Sequence, residues 1–219
     1  MNTHAHIIAE SLGEAWLQCL ELIVAEGEWI ADDGERLMEI NSFFASIGAI
    51  NAGDEILARF ADQDRIALMR RKYSFCGVLS QYKISYGKLL YDFNGVNQIE
   101  WVIDRLRRKR ESKSATIALH APGDAILSCL SLLDFKIRNE ELQVTAVYRS
   151  QNAFASQPGN LIAIREIQSD VADSLCCIPG SVDLLVASVH IYERDLATVK
   201  NVLSESQVWS RAYTTGCPI

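Results

Sequence analysis

The stretch SCLSLLDFKIRNEELQVTAVYRSQNAFASQPGNLIAIREI, residues 128–167, followed by GSVDLLVASVHIYERDL, residues 180–196, decides how this chain folds. Leu130 to Ile137 and Leu142 to Tyr148 are short apolar runs, and the polar Asn139–Glu140 between them suits a tight turn. The pair reads as a hairpin. Pro158 then stands where a helix opens, with Leu161, Ile164, Ile167, Val171 and Leu175 recurring behind it on one side. Pro179–Gly180 turns the chain into a further strand, Val182 to Tyr192. Strands paired in a mixed or antiparallel sheet, with helices flanking it, make an α+β domain.

Working outward, Ser11 followed by Glu14 has the spacing of a capping box, and Leu12, Trp16, Leu20 and Ile23 continue at helical intervals until Gly27. The segment Ile50 to Arg71 is weakly periodic and reads as helical. Tyr73 to Lys88 has no clean period and reads as irregular. Val96, Ile99, Ile103 and Leu106 mark another helix, ending in the basic run Arg105 to Arg110. That run is either a solvated helix end, which the helix dipole favours, or a contact for phosphate or a partner. Ala115 to Ala121 supplies one more strand candidate.

The 219 residues suit one domain spanning 1–219, with no repeat, low-complexity tract or linker to divide it. With 21 basic against 28 acidic residues the net charge is -7, which argues against general nucleic-acid binding. No apolar run approaches the roughly 20 residues of a membrane span, and MNTHAHIIAESLGE lacks the features of a signal peptide, so a cytoplasmic location is expected. Six scattered cysteines, without a CxxC pair, indicate neither a disulfide framework nor a metal site.

On the last strand, residues two apart share a face, so Ser188, His190 and Tyr192 point one way and Ala187, Val189 and Ile191 the other. Three polar groups in an apolar strand are either a satisfied hydrogen-bond cluster, a solvent-facing side, or a ligand site. Cys129, at the start of a core strand, is either a small buried hydrophobe or a reactive thiol. The second reading needs a cation nearby, and Arg149, following the paired strand, is the candidate.

These two stretches resemble the C-terminal half of thymidylate synthases and their hydroxymethylase relatives, and the register holds without a gap from Cys129 to Tyr192. The resemblance implies a thymidylate synthase-like fold. It puts Cys129 on the family's nucleophile, Arg149 and Ser150 on its phosphate-binding pair, Asn160 on its base-reading position, and His190 with Tyr192 on the pair that holds the sugar 3′-hydroxyl. Tyr86–Gly87 resembles the family's Tyr-Gly, whose tyrosine helps to remove the proton from ring carbon 5, and Glu55 falls near its catalytic glutamate. The implied chemistry is addition of a thiolate to carbon 6 of a pyrimidine nucleoside 5′-monophosphate, after which carbon 5 attacks a one-carbon unit. The implied donor is 5,10-methylenetetrahydrofolate, and the implied assembly a homodimer packed sheet against sheet. Asn160 favours uracil, since cytosine-using relatives commonly carry aspartate there.

The sequence departs from the family at several of its motifs. Ser128 stands for the proline before the nucleophile and Leu130 for the histidine after it. Lys113–Ser114 replaces the double arginine that reaches the partner's phosphate, leaving Lys113 as the one cation. Asn152 replaces the aspartate near the folate, the tryptophans of the folate wall have no match, and YTTGCPI, residues 213–219, offers no substitute for the closing C-terminal lid. The expected function is therefore methylation or hydroxymethylation at carbon 5. The alternative is a nucleotide-binding member of the fold that works without folate or through a partner.

Overall fold

The computed structural model describes residues 5–48, 54–75, 85–121, 123 and 127–215, with side chains as far as 210. Eight described strands form one mixed sheet. They are β1 (His6–Ala9), β2 (Glu28–Asp32), β3 (Glu35–Ile47), β4 (Thr116–Ala118), β5 (Leu130–Arg138), β6 (Glu141–Tyr148), β7 (Gln151–Asn152) and β8 (Ile178–Tyr192). The main path runs β1-β3-β8-β6-β5-β4, with β2 paired to β3 and β7 to β8.

The expected β5–β6 hairpin forms, pairing Leu130 with Tyr148 and Arg138 with Glu141, with an irregularity between Leu130 and Leu132. Its turn places Asn139 and Glu140 at φ of 51° and 64°, the left-handed pair that matches strand twist. β8 begins at Ile178, earlier than the sequence predicts. Gln168 donates to the Leu142 and Ser181 carbonyls at 2.5 and 3.0 Å, and Ile178 N donates to Glu140 O at 2.9 Å, so Pro179 is carried in an irregular strand start beside β6.

The helices are α1 (Leu12–Glu26), α2 (Glu55–Phe60), α3 (Gln63–Tyr73), α4 (Tyr86–Tyr91), α5 (Gln98–Arg108), α6 (Gln157–Ser174) and α7 (Leu196–Thr215). The Ser11 hydroxyl caps α1 by accepting from Glu14 N at 3.1 Å. The helix expected from Ile50 to Arg71 is two helices within the described residues, because Asp54 and Asp62 each accept a backbone N–H and start a separate cap. Part of the stretch expected to be irregular, from Tyr86 onward, is helical. Residues 50–53 and 76–84 lie outside the described residues. The basic run closes α5: Arg110 pairs with Glu140 at 2.5 Å and donates to Leu175 O at 3.0 Å, while Arg107 pairs with Asp104 at 2.9 Å.

Sequence reading missed the β2–β3 hairpin and α7. The hairpin's signal is Asp33–Gly34, both at positive φ, a dipeptide favoured in two-residue turns. β3 hides its alternation because the ladder with β8 skips Ser42, at φ 59°. On one side of that break Phe43, Ala45 and Ile47 are buried opposite Val186, Leu184 and Val182. On the other, Met38 and Ile40 lie opposite the buried Ile191 and Val189. The core face therefore changes phase on both strands, which releases His190 and Tyr192 from the helix-packed face.

Most of the core lies between one sheet face and the helices, with Trp16, Leu20 and Ile23 of α1 and Leu161, Ile164 and Val171 of α6 buried. On the other face Phe44, Leu185, Val147 and Leu132 pair in one row across four strands, and Leu185 is 40% exposed. No described helix is long and apolar enough to cross a membrane.

Candidate active site

Cys129 precedes the first residue of β5, half-buried, with its carbonyl accepting from Arg149 N at 2.9 Å. This ladder contact sets Arg149 directly across from the thiol. The guanidinium donates to Ser128 O at 3.0 Å through Nε and to Leu127 O at 3.1 Å through Nη2, and Nη2 also lies 3.9 Å from Cys129 Sγ. A planar set of donors thus ties the segment before Cys129 to the end of β6 while facing its sulfur.

Tyr86 opens α4, and its ring is buried at 2% exposure. Leu130 N donates to its hydroxyl at 3.4 Å, which sets the phenol beside the segment that carries Cys129. Burial raises the Tyr86 phenol, with the Cys129 sulfur adding to the shift, so the hydroxyl keeps its proton. Gly87 follows because only a residue without Cβ fits against the Ser74 carbonyl.

Asn160 lies in the first turn of α6, buried, and accepts through Oδ1 from the Tyr73 hydroxyl at 3.3 Å. Tyr73 in turn meets the Tyr148 hydroxyl at 2.5 Å, and its ring packs 4.6 Å from that of Tyr86. Tyr73, at the end of α3, therefore joins the α6 terminus to Tyr86 beside the thiol.

Sequence reasoning missed four residues of this cluster. Tyr73 and Tyr148 carried one available signal, that a buried tyrosine hydroxyl needs a partner. Lys72 places its ammonium 4.2 Å from the centre of the Tyr86 ring; burial holds it below its usual range while the Cys129 sulfur pulls it up. His120 Nε2 lies 2.9 Å from Ser128 O and 3.1 Å from Ser128 Oγ, so a histidine eight residues upstream supports the residue before Cys129.

His190 and Tyr192 lie on β8 with ring centres 5.1 Å apart, edge to face. Burial lowers the His190 imidazole, against the opposing pull of Glu39 and Asp32. Ser188 donates to Glu39, a satisfied hydrogen bond rather than an open donor. Arg194 stacks over Tyr192 at 4.3 Å and pairs with Glu35. β7 pairs Asn152 with His190, and Ala153 N donates to His190 O at 2.8 Å.

The profile of the thymidylate synthase family matches residues 52–212. The chain belongs to the thymidylate synthase family. A protein of Methanosarcina mazei is 29% identical over 205 residues, covering 90% of this chain and 94% of its own length. One of Methanococcoides burtonii is 27% identical over 210 residues, covering 92% and 95%. Both are named "Putative thymidylate synthase". The thymidylate synthase of Enterobacteria phage T4 is 29% identical over 122 residues, 54% of this chain and 43% of its own. Membership supports transfer of a methyl or hydroxymethyl unit to a pyrimidine carbon 5, and hence a transferase.

Other expected residues stand outside these contacts. Ser150 is half-buried between β6 and β7, next to the exposed Arg149. Lys113 is exposed before β4, the edge strand, and Glu55 is exposed in the first turn of α2. None of the hydrogen bonds and ring contacts described around Cys129 includes either. Asn152 accepts from Ala155 N at 2.8 Å, so its Oδ1 shapes the turn before α6.

Proposed function

We propose that this thymidylate synthase-family protein acts on a uracil nucleoside 5′-monophosphate through a covalent adduct of Cys129. The observation that carries the reading is that Cys129 and Arg149, facing each other at the open end of the β5–β6 hairpin, meet Tyr86 of α4, while Asn160 of α6 is linked to that tyrosine through Tyr73. The thiolate of Cys129 adds to ring carbon 6, forming an S–C bond and moving the ring electron pair onto carbon 5 and the 4-oxygen. Arg149 and Ser150 hold the phosphate, Asn160 reads the base, and His190 with Tyr192 holds the sugar 3′-hydroxyl. Tyr86 assists removal of the carbon 5 proton, with Glu55 a further candidate for that proton transfer. Once carbon 5 has bonded to an electrophile, whether a one-carbon unit or a solvent deuteron, loss of its original proton returns the electron pair to the ring, the S–C bond breaks and the thiolate leaves.

5,10-Methylenetetrahydrofolate supplies an electrophilic one-carbon unit when bound. Asn152 suits such a ligand in part: its Oδ1 is used by Ala155, and its amide nitrogen is the group that can donate to a ring carbonyl. A homodimer is supported by the apolar row on the open sheet face, and Lys113 then serves the partner's phosphate. A cytoplasmic location accords with the absence of a membrane-spanning helix among the described residues.

A folate-independent, nucleotide-binding role is the second reading, favoured by the turn-bound Oδ1 of Asn152. Incubation with dUMP, UMP, dCMP or CMP in deuterated buffer, with and without the folate, separates the two. Exchange of the carbon 5 proton that disappears in Cys129→Ser supports covalent addition. Tight binding without exchange of any nucleotide favours the second reading.

A further inference from the structure

The proton count behind Asn160 constrains its amide. Tyr73 is 3% exposed and Tyr148 fully buried, and burial pushes both phenols well above their ordinary range, so each keeps one hydroxyl proton. Tyr73 stands between Tyr148, at 2.5 Å, and Asn160 Oδ1, at 3.3 Å. Among the described residues the Tyr148 hydroxyl has no hydrogen bond other than that with Tyr73. One arrangement satisfies every proton: Tyr148 donates to Tyr73, and Tyr73 donates to Asn160 Oδ1.

A flipped amide breaks this order. Asn160 Nδ2 would then donate to the Tyr73 oxygen, Tyr73 would turn its proton to Tyr148, and the Tyr148 proton would be left without an acceptor in a dry site. A buried donor without a partner costs far more than an ordinary hydrogen bond gains. We infer that Tyr73 locks the Asn160 amide in one orientation and thereby selects a 4-keto over a 4-amino pyrimidine.

The inference rests on the proposed role of Asn160 as the base-facing residue. In the locked orientation Oδ1 keeps its second lone pair for the ring N3–H, while Nδ2 donates to the oxygen at ring position 4. Cytosine reverses both edges, with an acceptor at N3 and a donor at position 4, and would require the flipped amide. Tyr73 is thus a positioning residue that acts on the base through Asn160.

The test compares dUMP and dCMP dissociation constants, by calorimetry, for the wild type, Tyr73→Phe, Tyr148→Phe and the double variant. The wild type should favour dUMP, and Tyr73→Phe should lower that preference about tenfold. Tyr148→Phe should keep it within about twofold, because Tyr73 still has one proton and only Oδ1 to receive it. The double variant should lose the preference yet melt above Tyr73→Phe, since no hydroxyl proton is then stranded. General loss of folding would weaken both nucleotides together and leave the ratio intact. An unchanged ratio in Tyr73→Phe, an equal fall in Tyr148→Phe, or a wild type that prefers dCMP overturns the inference while leaving the nucleotide site standing. A wild type that binds neither nucleotide overturns the site assignment and the inference with it.

Discussion

Replacing Gly87 by alanine should harm activity well beyond its effect on stability. A Cβ at this position would lie 1.9 Å from the Ser74 carbonyl oxygen, 2.7 Å from its carbon and 3.2 Å from the Tyr73 oxygen. These are backbone atoms, so no side-chain rotation relieves the contact, and α4 must move from the end of α3 by more than an ångström. Alanine gains about 1 kcal/mol of helix propensity over glycine. Overpacking of this kind costs about 1–3 kcal/mol, and a clash with backbone belongs at the upper end. The net loss of about 1–2 kcal/mol corresponds to a fall of roughly 2–8 °C in melting temperature for a chain of this size. The same shift takes the Tyr86 hydroxyl away from Leu130 N, now 3.4 Å distant, and from Cys129. Misplacement by about 1 Å can cost ~100-fold in rate. Carbon 5 proton exchange on dUMP, measured beside a thermal melt, should show a folded protein with exchange reduced by that order. A variant that melts within about 1 °C of wild type, on the scale set by its size, and exchanges at the wild-type rate would refute the argument.

Leu185→Glu, which puts a charge in the apolar row of the open sheet face, should turn a dimer into monomers by light scattering; an unchanged mass would remove that face from the interface. Burial pushes the Cys19 thiol up to about 12, so iodoacetamide at neutral pH should leave Cys19 unmodified in the folded protein and label the half-buried Cys129. Peptide mass spectrometry showing Cys19 labelled before unfolding would contradict its burial. The His190 imidazole is held below its ordinary value by burial, so the unfolded chain binds a proton there more readily than the fold does. Stability from this group should therefore be present above about pH 6.5 and decline below it. Melting temperature should fall less steeply below that pH in His190→Asn, and parallel profiles for the two proteins would remove His190 as the source.

Much of the architecture could be read locally. The β5–β6 hairpin, α1 and α6 carry their signals in adjacent residues: apolar runs about a polar turn, a Ser-x-x-Glu cap, and a proline followed by apolar residues at helical spacing. β3 was hidden because its buried face changes phase at Ser42, a change imposed by pairing with β8 and invisible to a test of regular alternation. The division between α2 and α3 had a local sign in Asp54 and Asp62, but both act as caps only because the chain turns there. The resemblance located Cys129, Arg149, Asn160 and His190 along the chain without showing what surrounds them.

The sequence by itself determined the α+β class, the order of its principal elements and the residue types available for chemistry. Hydrophobic periodicity, caps and turns act over a few residues, so they survive in one dimension. Only the tertiary structure decided which side chains meet. Tyr73 reaches Asn160 and Tyr148 across 87 and 75 residues of chain, and Arg149 faces Cys129 because a strand ladder puts them opposite each other. Such contacts follow from packing α3 against α6 and β5 against β6, and close packing specifies neighbours that no local pattern encodes.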